Sequence, residues 1–79
     1  MEITFDLFRL KQQLHLATGK EYSFTAIADE AGLHRNTVER IAMNRTARVD
    51  LETLAKLIFF FRHHGVSIAV GDLFQVKEL

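Results

Sequence analysis

Apolar residues recur every three or four positions along most of this chain, and glycines or polar capping residues separate the segments that show this spacing. Such spacing is typical of amphipathic α-helices. It predicts one helix over residues 6–18 and a second over residues 23–32. A third helix is predicted over residues 35–43 and a fourth over residues 50–64.

The ends of these predicted helices carry recognisable signals. Asp6, Ser23 and Asp50 stand where a side-chain oxygen can accept a hydrogen bond from an amide of the first turn. Gly19 and Gly32 stand where a helix can end in a left-handed residue. The apolar stripes expected to face the core are Leu7, Leu10, Leu14 and Ala17 in the first helix, and Leu51, Leu54, Leu57, Ile58 and Phe61 in the fourth.

The two ends of the chain lack helical spacing. Residues 1–5 alternate between apolar and polar, which predicts an extended arm or a short edge strand. Residues 67–70 are expected to be partly extended, and residues 71–74 to form one final turn. The predicted fold class is all-α: a compact bundle of four to five short helices with a short extended N-terminal arm, in a single domain covering residues 1–79.

A very short connection at Gly32 joins the second and third predicted helices. Glycine adopts the positive φ of a sharp chain reversal at little steric cost. The third helix keeps a polar face that includes Arg35, Asn36 and Arg40. Two helices joined in this way predict a helix-turn-helix over about residues 23–43, and the polar face of its second helix can enter a DNA major groove.

Composition limits the classes of protein to consider. The formal net charge is zero, but residues 34–48 hold four arginines against one glutamate, a local charge of +3. A neutral chain can therefore still present a basic face. There is no cysteine and no basic, apolar leader, and the longest apolar run, residues 57–61, is too short to cross a bilayer. A cytoplasmic protein without membrane contact is expected.

Four segments, in this order and spacing, resemble the phage repressor and Cro-type helix-turn-helix family, often called the XRE family. They read S-F-T-A-I-A-D-E-A-G-L, H-R-N-T-V-E-R-I, D-L-E-T-L-A-K-L and V-G-D-L-F, and they lie within residues 7–74. The resemblance implies a lambda-repressor-like fold and double-stranded DNA as the partner. Residues 42–45 depart from the family's usual Glu-Asn-Gly-like loop, so an Arg–Glu pair common there is not expected.

The resemblance places the start of the third helix against the edges of the bases, which maps base reading onto Arg35, Asn36, Thr37 and Arg40. Arginine can donate two parallel hydrogen bonds to guanine, and asparagine can pair in the same way with adenine. Thr37 could instead contact a thymine methyl group or a phosphate. The alternative interpretation is that these side chains only form a solvated surface.

Phosphate contacts are expected at two places. Ser23 and Thr25 begin the second helix, whose unpaired amides favour an anion, although a plain helix cap is the alternative for Ser23. His34 could contact phosphate or a base, or could only cap the third helix. The loop after that helix contributes Arg45, Thr46 and Arg48, for which the alternative is an ordinary polar loop.

The run Leu57–Phe61 carries more apolar surface than one helical stripe can bury. If the core stripe uses Leu57 and Phe61, then Phe59 and Phe60 point elsewhere, and exposed aromatic pairs usually mark an interface. A homodimer interface is therefore predicted at Phe59, Phe60, Val66 and Ile68. The alternative is that these side chains are covered by the C-terminal turn and the N-terminal arm of the same protomer.

These features together predict a transcriptional regulator of Cro or repressor type that binds double-stranded DNA and reads an inverted repeat as a dimer. A protein-interaction module, such as an antitoxin-like subunit with little DNA specificity, is the alternative. No enzymatic motif, cofactor or small-molecule effector domain is expected. Metal binding by His63 and His64 is not expected either, because adjacent residues on a helix point about 100° apart.

Overall fold

Four α-helices form most of the molecule, and a short strand lies on each side of them in the chain. The computed structural model describes residues 2–46 and 48–78, so Ala47 of the predicted loop lies outside the described residues. The elements are β1 (Glu2–Phe5), α1 (Leu7–Thr18), α2 (Phe24–Ala31), α3 (Arg35–Ala42), α4 (Leu51–His63), a 3-10 helix (Val70–Leu73) and β2 (Phe74–Lys77). The predicted compact, mostly helical fold is confirmed.

The two strands correct the all-α prediction. β1 and β2 pair in an antiparallel two-stranded sheet, with Ile3 opposite Val76 and Phe5 opposite Phe74. Because successive residues of a strand point to opposite faces, these four apolar residues share one face. The rings of Phe5 and Phe74 lie 5.0 Å apart between centroids. The predicted N-terminal arm is therefore a strand, and its partner begins at Phe74, the last residue of the predicted final turn.

Most of the predicted helix caps are present. Ser23 Oγ accepts a hydrogen bond from the Ala26 amide at 3.1 Å, and Asp50 Oδ1 accepts one from the Thr53 amide at 2.9 Å. Gly19 and Gly32 adopt the predicted left-handed conformation. The cap predicted at Asp6 is wrong, because its carboxylate makes no capping hydrogen bond. It accepts a hydrogen bond from Arg9 Nε at 2.7 Å instead.

The core lies between the four helices and the segment that follows α4. Two expected core positions are wrong: Leu51 is 83% exposed, and Ala17 is also exposed. Both lie near a helix end, where no other element covers their face. The buried apolar residues are Leu7, Leu10, Leu14, Ile27, Ala28, Val38, Ile41, Ala42, Leu54, Leu57, Phe60, Phe61, Val66, Ile68 and Leu73.

The aromatic run of α4 divides differently from the prediction. Phe59 is 73% exposed, whereas Phe60 is only 4% exposed. The chain folds back after α4, and Val66 and Ile68 are 6% and 5% exposed. The proposed dimer interface is therefore wrong at Phe60, Val66 and Ile68, because these side chains are covered within one protomer. Burial inside the protomer, the alternative considered for them, is what the structure has.

Three contacts show how this burial arises. The Val66 amide donates to the Phe61 carbonyl at 2.9 Å, which turns the chain back along α4. Arg62 Nε then donates to the Ile68 carbonyl at 2.6 Å and holds the returning segment in place. The Phe60 ring lies 5.9 Å from the Tyr22 ring between centroids and meets it edge-on.

Within the described ranges, no helix has the length and apolar character needed to cross a membrane.

Candidate nucleic-acid interface

The connection between α2 and α3 is set by Gly32. Its φ is +75°, and its amide donates to the Ala28 carbonyl, which ends α2. The Leu33 amide donates to the same carbonyl at 2.8 Å. Since Leu33 is half-buried against the core, the chain leaves α2, inserts one apolar side chain and starts α3 at once. α2 and α3 pack against each other along this connection.

The two faces of α3 have different surroundings. Val38, Ile41 and Ala42 are buried and fix the helix on the core. Arg35 and Asn36 are exposed on the other side, as are Glu39 and Arg40, while Thr37 is half-buried. The predicted base-reading side chains therefore occupy the outward side of an anchored helix.

His34 caps α3, as one of its alternatives predicted. Its Nδ1 accepts a hydrogen bond from the Asn36 amide at 3.2 Å. An imidazole nitrogen that accepts a hydrogen bond carries no proton, so the neutral ring holds its proton on Nε2. His34 is exposed, and its Nε2–H remains a donor beside Arg35 at the start of the helix.

Two neighbouring depressions lie along α3 and share Arg40. The first has a volume of about 300 Å³, and Thr37, Thr46 and Arg48 contribute to its wall. The second has a volume of about 280 Å³. Its walls come from Asn36, Glu39, Arg40, Met43 and Arg45. The structure thus brings together side chains predicted to read bases and side chains predicted to bind phosphate.

We call this region the α3 surface. Ser23 and Thr25 line neither of its depressions. Ser23 caps α2, and Thr25 is exposed as the second residue of that helix. The surface consists of six residues that line the depressions, Asn36, Thr37, Arg40, Arg45, Thr46 and Arg48, together with Arg35, which lines neither depression and is exposed at the start of α3.

Three cations outside the α3 surface have partners within the fold. Arg9 pairs with Asp6 at 2.7 Å, and Lys56 pairs with Glu52 at 3.4 Å. Arg62 is held by the Ile68 carbonyl. Among residues 2–46 and 48–78, none of the arginines of the α3 surface forms an ion pair. Their charges are not neutralised by contacts within the fold.

The loop after α3 is closed by Thr46. Its hydroxyl donates to the Arg48 carbonyl at 2.8 Å, and it accepts from the Arg48 amide at 3.3 Å. Both hydrogen bonds hold the backbone of Arg48 in place next to α3, while the Arg48 side chain is exposed. Thr46 therefore has a local structural role, and Arg48 supplies the outward charge.

Sequence reasoning missed the second role of Asn44. Asn44 follows α3 in the left-handed conformation, with a φ of +55°. In addition, Asn44 Oδ1 accepts a hydrogen bond from the Phe5 amide at 2.6 Å, and Nδ2 donates to the Phe5 carbonyl at 3.2 Å. The end of α3 is thereby tied to β1. No local signal could reveal this contact, because the partner lies 39 residues earlier.

Comparison with known proteins yields no match to a family model, to a curated protein or to a solved structure. The geometry and charge of the α3 surface therefore carry the functional assignment.

Proposed function

We propose that this protein is a transcriptional regulator that binds double-stranded DNA by inserting α3 into the major groove. The α2–α3 pair would act as a helix-turn-helix, and the protein would work in the cytoplasm. The observation that carries the proposal is the set of unpaired arginines around the α3 surface. Their density of charge suits a polyanion, although the whole chain has no net charge.

Base reading is assigned to the exposed start of α3. Arg35 and Asn36 carry the donors and acceptors that distinguish guanine and adenine in the major groove. Arg40 lies between the two depressions, where its long side chain can reach a base or a phosphate. Thr37 is half-buried, which suits its hydroxyl or methyl group to close contact with a thymine methyl or a phosphate.

Phosphate binding is assigned to the residues that flank α3. Arg45 and Arg48 offer charge from the loop, and the Nε2–H of His34 offers a donor at the start of the helix. Thr46 contributes by holding the Arg48 backbone. Ser23 and Thr25 bring the amides at the start of α2 toward the DNA backbone. Such contacts would position the protein without specifying sequence.

The test is selection of bound duplexes from a random DNA library. Wild-type protein is expected to enrich an inverted repeat with half-sites about 10 base pairs apart. The double variant Arg35→Ala/Asn36→Ala should fail to enrich it. The matched control, Gln12→Ala/Lys56→Ala, removes an amide and a cation from outside the α3 surface and should enrich the wild-type sequence. Equal enrichment by all three proteins would place base reading elsewhere.

One observation favours a second function, a protein-interaction module. Leu51, Ala55 and Phe59 follow each other at four-residue spacing along α4, and all three are exposed. Leu51 and Phe59 are 83% and 73% exposed, so α4 has an apolar stripe that no element of the protomer covers. Selection without enrichment of any DNA sequence would favour this second function.

A further inference from the structure

The outer edge of β1 is defined by its contact with Asn44. Both the amide and the carbonyl of Phe5 hydrogen-bond to the Asn44 side chain, so both point away from β2. In an antiparallel pair, the residues alternate between those whose backbone groups face the neighbouring strand and those whose groups face outward. Ile3, two residues from Phe5, therefore also directs its N–H and C=O outward, while Thr4 bonds to β2.

This edge is open to a further strand. Within residues 2–46 and 48–78, no hydrogen bond outside the β1–β2 pair reaches the Ile3 backbone. A groove of about 450 Å³ runs along the edge, between β1, Asn44 and Thr46, with Phe74 at its side. Unpaired strand edges are templates for pairing with another chain. Ile3 is also 62% exposed and Val76 56% exposed, so the apolar face of the ribbon is uncovered.

We propose that the occupant of this edge is the β1 strand of a second copy, related by a twofold axis at Ile3. In that arrangement the Ile3 N–H of each copy donates to the Ile3 carbonyl of the other. One hydrogen-bonded residue pair then satisfies both outward groups of each strand. The result is a four-stranded antiparallel sheet with β1 strands at its centre and β2 strands at its edges.

The side chains of β1 fit this pairing. Antiparallel pairing about Ile3 sets Glu2 opposite Thr4, so no carboxylates lie directly opposite each other. On the other face, Ile3 and Val76 of both copies extend the apolar surface begun by Phe5 and Phe74. Asn44 occupies the backbone groups of Phe5 and ends the ladder there. The interface is therefore closed, with the same patch on both copies.

The outer edge of β2 suits a second copy less well. A twofold axis at Val76 would set the Glu78 carboxylate opposite the Phe74 ring, on the apolar face of the ribbon. The Phe74 amide is also engaged already, because it donates to the Gly71 carbonyl. The charges and hydrogen bonds of the described residues thus favour the β1 edge.

The inference deepens the proposed function and depends on it in one respect, the spacing of the two α3 helices. Ile3 to Phe5 spans about 7 Å along the strand, and the step to Asn44 adds about 5 Å. From Asn44 to Glu39 the helix rises about 8 Å. Two copies joined at Ile3 can therefore place the centres of α3 up to about 40 Å apart, a limit that admits the separation of about 34 Å set by one turn of DNA.

The test measures the oligomeric state of the full chain without DNA, by sedimentation equilibrium up to about 1 mM protein, since one hydrogen-bonded pair gives a weak dimer. Ile3→Pro removes the outward N–H, and proline is tolerated at a strand edge. It should weaken dimerisation at least tenfold. Phe59→Lys, on the stripe of α4, should retain the wild-type dimer within threefold.

Hydrogen exchange of the Ile3 amide gives a second measurement that needs no variant. Its protection should increase with protein concentration in wild type, while the amides of α3 remain unchanged. Full exposure of that amide at concentrations where the dimer is populated would overturn the proposal. So would a monomer at every concentration, or loss of the dimer in Phe59→Lys with Ile3→Pro unaffected.

These outcomes are separable from those of the DNA selection. A dimer that depends on Ile3 but enriches no DNA would support the interface and contradict the proposed regulator. Enrichment of a single half-site by a monomer would support DNA binding and contradict the interface.

Discussion

Asn44 combines two properties that a single residue seldom supplies. Its backbone is left-handed, with a φ of +55°, and its side chain makes two hydrogen bonds to Phe5. The variants Asn44→Gly and Asn44→Ala separate these properties. Glycine keeps the backbone conformation and loses the hydrogen bonds, while alanine loses both.

Asn44→Gly is expected to lower the free energy of unfolding by about 1–2 kcal/mol, because each hydrogen bond contributes about 0.5–1.5 kcal/mol. Asn44→Ala should cost about 1 kcal/mol more, because a side chain with a Cβ is strained in the left-handed region. Urea denaturation measures both. Equal stability of the alanine variant and wild type would mean that the Asn44 contact contributes nothing to the fold.

Asp50 makes the stability of the protein depend on pH. Hydrogen bonds from the side chain and then the backbone of Thr53 lower the pKa of the Asp50 carboxyl below its ordinary value. A carboxyl with a lowered pKa stabilises the folded state above its ordinary pKa of about 3.9, and this contribution is lost as the pH falls through the folded pKa.

Asp50→Asn should therefore reduce the loss of stability between about pH 5 and pH 2, because asparagine also caps a helix but does not titrate. Chemical denaturation at a series of pH values provides the measurement. Glu78→Gln serves as the control, since Glu78 is exposed, and it should follow wild type. Identical pH profiles for Asp50→Asn and wild type would contradict the assignment.

At the scale of elements, α4 gives the sharpest contrast between neighbouring residues. Phe60 is 4% exposed and Phe59 is 73% exposed. Phe60→Ala should lower the free energy of unfolding by about 3–5 kcal/mol through lost burial and a cavity. Phe59→Ala should change it by about 0.5 kcal/mol or less. Urea denaturation of the pair tests the packing of α4, and similar losses for both variants would contradict it.

The helices could be predicted from the sequence because their signals are local. Ser23, Gly32 and Asp50 lie within a few residues of the groups that they cap or terminate. The division between Phe59 and Phe60 could not be predicted, because an unbroken apolar run has no period. It is decided by a distant contact, because the Tyr22 ring from the connection between α1 and α2 meets the Phe60 ring edge-on at 5.9 Å between centroids.

The strands and the Asn44 contact depend on distant pairing. β2 has only four residues, and all four helices separate it from its partner strand β1 in the sequence. Of the candidate interface, the exposed start of α3 and the cap by His34 followed from the helical pattern. The shared position of Arg40 between two depressions required the loop after α3 to be placed.

At the scale of the whole molecule, the distribution of charge over the surface differs from what the net charge indicates. The chain is neutral, yet its unpaired arginines gather on one side, so the affinity for DNA should fall steeply with salt. Arg48→Ala should weaken binding to all sequences alike and lower the slope of log affinity against log salt by about one. Fluorescence anisotropy with specific and random duplexes provides the measurement.

Lys56→Ala is the matched control for this salt dependence. Lys56 is already paired with Glu52 at 3.4 Å, so its removal should leave the slope at the wild-type value. A slope that decreases equally in both variants would indicate a general effect of charge, and the assignment of Arg48 to a phosphate contact would be wrong.

The pairing of β1 with β2 also sets an order of events during synthesis. β1 leaves the ribosome first, but its partner is not made until the four helices between them have been translated. Closing so long a loop is also entropically costly, so the helices should collapse before the ribbon forms. The two hydrogen bonds between Phe5 and Asn44 should then form late. A newly made chain would acquire its helical core first and the final position of α3 last.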